Sequence, residues 1–229
     1  MKYKYLLWDI DGTVLDFIAS ESYAIRTLFK KYNLGECSDE MIKLYSKINI
    51  KHWQMIEKNQ FTKAEILVMR FIEFFETVGV DTSVAQKFNA DYQLALGDYI
   101  EFVDKAKDIL LSQKGKYILV AVTNGTKIAQ EKKLRLSGLN DIFDAVFISE
   151  NVGAEKPDKK YFDYVFKTLN ITNKKEVLII GDSLTSDMQG GFNARIDTCW
   201  FNPNHNTNKL DIPITYEIDD LGKITKILN

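Results

Sequence analysis

The sequence predicts an α/β fold: a Rossmann-like parallel sheet with helices on both faces, plus an inserted all-helical domain. Three observations predict it. From residue 100 onward, short apolar runs alternate with helical segments, the pattern of parallel strands joined by crossover helices. Between residues 17 and 99 the spacing is helical throughout, with no convincing strand. Three apolar runs end abruptly in Asp, Thr, Asn or Gly, as strands do where a doubly wound sheet presents its ligand-binding edge.

Tyr5-Leu6-Leu7-Trp8 is the first strand, and it runs straight into Asp9-Ile10-Asp11-Gly12-Thr13. Helical periodicity then governs Ile18 to Leu96. Leu28, Phe29 and Tyr32 form one stripe, Met55, Ile56 and Phe61 line up across a turn, and Phe71, Phe74, Phe75 and Val78 repeat the pattern. Such an aromatic stripe reads as a core. An all-helical block directly after one strand reads as an insertion into an α/β fold. The expected division is residues 1–16 with 100–229 for the core, and 17–99 for a helical cap. A helix near Val103–Ser112 precedes a strand over Tyr117–Val122. Helix Lys127–Leu136, strand Ala145–Ile148, helix Lys159–Leu169 and strand Val177–Ile180 follow in turn. A helix over Ser186–Ala194, a strand over Asp197–Phe201, a late strand near Ile214–Tyr216 and a helix over Leu221–Leu228 complete the series. Right-handed crossovers bring all the strand C-termini to one edge.

The chain has 229 residues, 45% of them apolar and 27% charged, enough to bury the core of one α/β domain and an insert. A formal net charge of −2 offers no basic field for nucleic acid or an anionic membrane. The pairs Lys132-Lys133, Lys159-Lys160 and Lys174-Lys175 read as solvated helix ends. Cys37 and Cys199 fit no metal or redox spacing, which points to a reducing compartment. The N-terminus shows no leader pattern, and no apolar run reaches about 18 residues. The expectation is a cytoplasmic protein, monomeric or homodimeric.

The chemistry collects at the strand ends. Asp9-Ile10-Asp11-Gly12-Thr13, Thr123-Asn124-Gly125 and Gly181-Asp182-Ser183 each follow an apolar run, and Glu155-Lys156-Pro157 opens a helix. The fold brings them together, with Asp187 one turn into the helix after Asp182. Clustered carboxylates raise one another's pKa unless a cation compensates, and hard oxygen ligands suit Mg²⁺. Lys156 adds a positive charge; Thr123, Asn124 and the amides around Gly125 sit at a helix N-terminus, which favours anions. A carboxylate cluster for a metal beside an anion cradle suits phosphoryl transfer. In this reading Asp9 attacks phosphorus, Asp11 acts as general acid and then base, and Gly12 lets the backbone turn sharply. Asp11 or Asp182 alone would read as a cap or turn residue; the ordered set carries the weight.

Together these motifs resemble the haloacid dehalogenase (HAD) superfamily, whose phosphatases carry a D-x-D-G-T strand end, with Thr123, Lys156 and Gly181-Asp182-Ser183…Asp187 matching the other motifs. The helical insert resembles a C1-type cap. The resemblance implies a metal held by Asp9, Asp11 (through its carbonyl) and Asp182, supported by Asp187, with Thr123, Asn124 and Lys156 at the phosphoryl group. The stretches Ile148–Lys160 and Gly181–Gly191, with Ile48-Asn49…Trp53 and Arg70-Phe71, are similar to bacterial house-cleaning pyrimidine 5′-nucleotidases. This implies hydrolysis of nucleoside 5′-monophosphates, with Asn49, Trp53 and Arg70 as cap residues that could touch substrate. A broad sugar or small organic phosphate phosphatase is the alternative. A phosphomutase is a further rival, as is a 2-haloacid dehalogenase, against which Asp11 argues. His52 and His205 lack partners at ligand spacing and read as exposed or locally bonded.

Overall fold

The structure, a computed structural model, describes residues 2–57 and 60–228. The chain divides into two compact units: Met1–Asp16 with Glu101–Asn229, and Phe17–Ile100.

The first unit is built on a six-stranded, all-parallel sheet. Its strands are β1 (Tyr5–Trp8), β2 (Ile118–Thr123), β3 (Ala145–Ile148), β4 (Val177–Gly181), β5 (Asp197–Phe201) and β6 (Tyr216–Ile218), in the spatial order β3-β2-β1-β4-β5-β6. β1 lies between β2 and β4, with Trp8 in register with Ala121 on one side and Ile180 on the other. The chain winds outward from β1 through β2 to β3, then returns to the other side of β1 as β4. That reversal is the switch point at which doubly wound sheets bind ligands beyond the strand C-termini.

Both faces of the sheet are buried, which explains the unbroken apolar strands. Tyr5, Leu7, Val120, Val122, Val177 and Ile179 pack with Tyr161, Phe162, Val165 and Phe166 of α8 (Lys159–Thr168). Leu6, Trp8, Leu119, Ala121, Leu178 and Ile180 fill the other face.

Several local expectations shift. The helix after β4 opens as a π-turn, Leu184–Met188, before α9 (Gln189–Ala194). The last strand begins at Tyr216 rather than Ile214, because Pro213 offers no N–H and Thr215 is taken by Thr198. Each of those threonines accepts the other's amide on its hydroxyl at 3.1 Å. The final helix is a 3₁₀ turn over Leu221–Lys223 followed by α10 (Ile224–Leu228). The helix expected from Val103 is α5 (Ala106–Gln113); before it, the Val103 amide bonds Val14 and the Asp16 amide bonds Glu101.

The second unit holds α1 (Phe17–Lys31), α2 (Asp39–Glu57), α3 (Lys63–Val78) and α4 (Ala85–Ala95). Its core is aromatic: Phe29, Tyr45, Phe71, Phe74, Phe75, Phe88 and Tyr92 are buried, with ring centroids 4.9 Å apart for Tyr45 and Phe71. α3 starts with a capping box, Thr62 and Glu65 each accepting the other's backbone amide.

Beside the aromatics lies a buried polar network. Glu21 accepts from Ser46 and from Asn49 Nδ2, and Arg70 donates to Asn49 Oδ1 at 2.7 Å and to Asn89 Oδ1 at 3.2 Å. Burial pushes the Glu21 carboxyl up, and these donors pull it partly back. Asn49 and Arg70, two of the three residues expected to touch substrate, are thus 2% and 1% exposed and engaged inside the helical unit. Trp53, the third, is partly exposed, with the Lys63 ammonium over its ring. His52 is buried and locally bonded, its Nδ1 at 2.9 Å from the Ile48 carbonyl.

Candidate active site

The site starts at the tip of β1. The Asp9 amide still bonds the Ile180 carbonyl of β4 at 2.9 Å, so the sheet sets the Asp9 main chain. The backbone then turns tightly: Gly12 has φ +91°, and its amide bonds the Leu15 carbonyl. A Cβ at Gly12 would lie 2.6 Å from Asp182 Oδ2. The missing side chain is the space that the Asp182 carboxylate occupies. Thr13, fully buried, donates to Asp182 Oδ1 at 3.2 Å, and Trp200 Nε1 from β5 bonds the Asp182 carbonyl at 2.9 Å.

Asp9, Asp182 and Asp187 form an acidic cluster. One ligand atom from each lies within 4.8 Å of the others. Lys156 is 1% exposed and threads into this cluster. Its ammonium donates to Asp9 Oδ1 at 2.6 Å, to Asp187 Oδ1 at 2.6 Å and to the Val122 carbonyl at 2.9 Å. Those three bonds use the three protons of a lysine. The other Asp187 oxygen accepts the Ser183 amide at 3.1 Å, across the π-turn.

Electrostatics follow from this packing. Burial raises the Asp9 carboxyl; Lys156 opposes it, Asp187 and Asp182 add to it, and the net position is well above the usual carboxylate range. Asp182 is also raised, first by the protein around its carboxylate and then by Asp187. Its residue surface is solvent-exposed, which moderates the displacement. Burial alone would lower the Lys156 ammonium, but Asp187 and Asp9 reverse this and hold it protonated. Three carboxylates with one buried lysine leave negative charge that a small, hard cation would neutralise, and the all-oxygen donor set fits Mg²⁺.

The turn after β2 lies against the Lys156 segment. Thr123 is buried, and its hydroxyl accepts the Gly125 amide at 3.1 Å. The Asn124 side chain brackets the Lys156 backbone, donating to its carbonyl at 2.8 Å and accepting its amide at 2.9 Å. Asn124, expected at the phosphoryl group, therefore fixes the segment that carries Lys156. α6 (Lys127–Ser137) begins beyond this turn.

Asp11 is brought to the same edge, and here the sequence reading needs correction. Lys133, whose place in a basic pair predicts a solvated side chain, is fully buried, and its ammonium lies 2.6 Å from Asp11 Oδ1. Gln130, one turn earlier on α6, donates to Asp11 Oδ2 at 2.6 Å. Neither residue was anticipated. Local spacing carried no signal for them: the buried face of α6 is Ala129, Gln130, Lys133, Leu134 and Ser137, while the apolar Ile128 and Leu136 are exposed. A lysine on a buried stripe requires a partner.

A sequence profile of the haloacid dehalogenase-like hydrolases matches residues 6–201. The chain belongs to that family. This hydrolase is 36% identical over 222 residues to pyrimidine 5′-nucleotidase PynA of Streptococcus pneumoniae, a match covering 95% of this chain and 92% of PynA. It is 28% identical over 229 residues to pyrimidine 5′-nucleotidase YjjG of Escherichia coli K12, covering 100% and 99% of the two chains. The solved structure of the HAD-hydrolase YfnB from Bacillus subtilis, described as bound to magnesium and as revealing interdomain movement, matches with a TM-score of 0.93. The identity there is 37%, and all of both chains is covered.

Proposed function

We propose that this hydrolase is a Mg²⁺-dependent phosphomonoesterase acting through an aspartyl-phosphate on Asp9, with pyrimidine nucleoside 5′-monophosphates as its substrates. The observation that carries the reading is the cluster of Asp9, Asp182 and Asp187, with buried Lys156 paired to Asp9 and Asp187. Asp9, Asp182 and Asp187, with the Asp11 carbonyl, would hold the ion. Bound there, Mg²⁺ supplies charge neutralisation at the phosphoryl oxygens.

The chain's own groups divide the work. Lys156 orients Asp9 and offsets the charge of Asp9 and Asp187, while Thr123 and the Gly125 turn face the phosphoryl oxygens. An Asp9 oxygen attacks phosphorus as the ester P–O bond breaks, and the leaving oxygen takes a proton from Asp11. Water then gives a proton to Asp11, its oxygen displaces Asp9 from phosphorus, and inorganic phosphate leaves with both acids restored.

The nucleotide assignment is supported by the names of PynA and YjjG, and the metal by the magnesium in YfnB. The helical unit is assigned as the cap, with Trp53 the one partly exposed member of its three candidate contacts. Cys37 and Cys199 are free and buried, which supports a reducing, cytoplasmic setting; among the described residues no helix is long and apolar enough to cross a membrane.

A phosphate-release screen over nucleoside monophosphates, sugar phosphates and phosphoglycolate tests the reading. Preference for UMP, dUMP or dTMP is expected, with activity silenced by EDTA and restored by Mg²⁺. Asp9→Asn should reduce release by about 10⁴-fold or more while the fold is retained, in line with removal of other catalytic nucleophiles. Undiminished release in chelator, or by that variant, would remove the metal or the nucleophile; equal rates on all esters would leave a general phosphatase.

A further inference from the structure

The carboxylate of Asp11 is gripped at both oxygens by one helix. Lys133 holds Oδ1 and Gln130 holds Oδ2, each at 2.6 Å. The two donors stand three residues apart on α6 and so share a face. Both are fully buried, whereas the Asp11 side chain is 20% exposed.

Two features show that this grip is built in at a cost. A buried lysine is expensive unless paired, and an apolar residue on that buried face would pack at lower cost. Among the described residues Gln130 Oε1 is buried with no hydrogen-bond partner, so the fold accepts an unsatisfied acceptor where it places the Nε2 donor on Asp11. The preceding turn is shaped around the same side chain: a Cβ at Gly125 would lie 2.1 Å from Gln130 Nε2. The glycine that follows Thr123-Asn124 therefore makes room for the residue that holds Asp11, and one helix ties the phosphate-side turn to the proposed acid.

We infer that Lys133 and Gln130 are positioning residues for Asp11, fixing its carboxylate in the orientation required for proton transfer to the leaving oxygen. The inference rests on the phosphatase reading above, with Asp11 as the proton donor. An alkyl leaving group needs that proton, whereas p-nitrophenolate departs readily without it. Misplacing Asp11 should therefore slow an alkyl phosphate more than an aryl phosphate, a split that simple loss of packing would not create.

The test compares kcat and KM of the wild type, Lys133→Met, Lys133→Arg and Gln130→Leu on p-nitrophenyl phosphate and on UMP, with Mg²⁺ present. Lys133→Met should lose about 10- to 100-fold more kcat on UMP than on the aryl ester, part of the roughly 10²- to 10⁴-fold that general acid catalysis contributes. KM should change little, and Lys133→Arg should recover part of the loss. Lys133→Met added to Asp11→Asn should cost little beyond Asp11→Asn alone, since both act through one group. Equal losses on the two esters, or full additivity with Asp11→Asn, would overturn the inference. If Lys133→Met does not fold, Gln130→Leu carries the same comparison without a charge change. A wild type that releases phosphate from neither ester would defeat the phosphatase reading itself; an active wild type without the split defeats only the positioning role.

Discussion

At Gly12 two constraints meet on one residue. Its φ of +91° is disfavoured for a side-chain-bearing residue, and the space beside its Cα belongs to the Asp182 carboxylate, 2.6 Å from an added Cβ. Gly12→Ala should therefore cost about 1–3 kcal/mol of stability through backbone strain and also push Asp182 out of the acidic cluster. Calorimetric titration should find Mg²⁺ affinity reduced by at least about tenfold, the equivalent of about 1.4 kcal/mol. Unchanged affinity would mean that Asp182 is not a ligand. Asn124 and Lys156 show the same economy: the amide of Asn124 is spent on the Lys156 backbone, and the ammonium of Lys156 is spent on two acids and a carbonyl. These bonds would preorganise Asp9, the proposed nucleophile, before a substrate arrives.

At the scale of elements, the π-turn over Leu184–Met188 is the clearest local adaptation. The Met188 amide bonds the Ser183 carbonyl at 3.0 Å, five residues back, and Asp187 folds over the Ser183 amide. π-turns of this kind are frequent at functional sites. Here the turn presents Asp187 to Lys156. α6 makes a comparable double use of one helix, its start at the Thr123–Gly125 turn and its buried face on Asp11. In the helical unit, α3 depends on ordinary capping. Thr62→Ala removes half of its capping box and should lower stability by about 1 kcal/mol, measured by urea denaturation; a loss below a few tenths would show that tertiary packing alone holds the first turn of α3. That prediction belongs to the element, since Thr62 is exposed and its bonds are to Glu65 within the same turn.

At the scale of the whole molecule, folding the first unit forces like charges together. Asp9 and Asp182 have raised carboxyl pKa values, Asp182 reaching about 7 from an ordinary 3.8. A carboxyl raised on folding favours the native state below its unfolded pKa, and that advantage is lost as pH rises toward the folded value. Metal-free protein should thus lose stability between about pH 4 and pH 7, and a bound cation should restore it. Mg²⁺ at 100 times its Kd stabilises by about 2.7 kcal/mol. We expect the Mg²⁺-induced rise in Tm to be larger at pH 8 than at pH 5 and to be largely lost in Asp182→Asn. A shift of equal size at both pH values, or one retained in that variant, would place the ion elsewhere.

The sequence by itself determined the α/β class, the all-helical insert and the acids at the strand ends, because strand and helix periods are local and a polar residue closing an apolar run stands out. Asp9, Thr123 and Asp182 were legible for that reason, and Lys156 and Asp187 only through their place in the ordered set of motifs. Lys133 and Gln130 were not: a lysine in a basic pair looks solvated until packing shows which face of α6 turns inward. Asn49 and Arg70 also looked available for substrate until the helices of their unit closed around them. Which strand lies beside which, and therefore which side chains meet at β1, is decided by burial across the whole sheet, an energy that no local window contains.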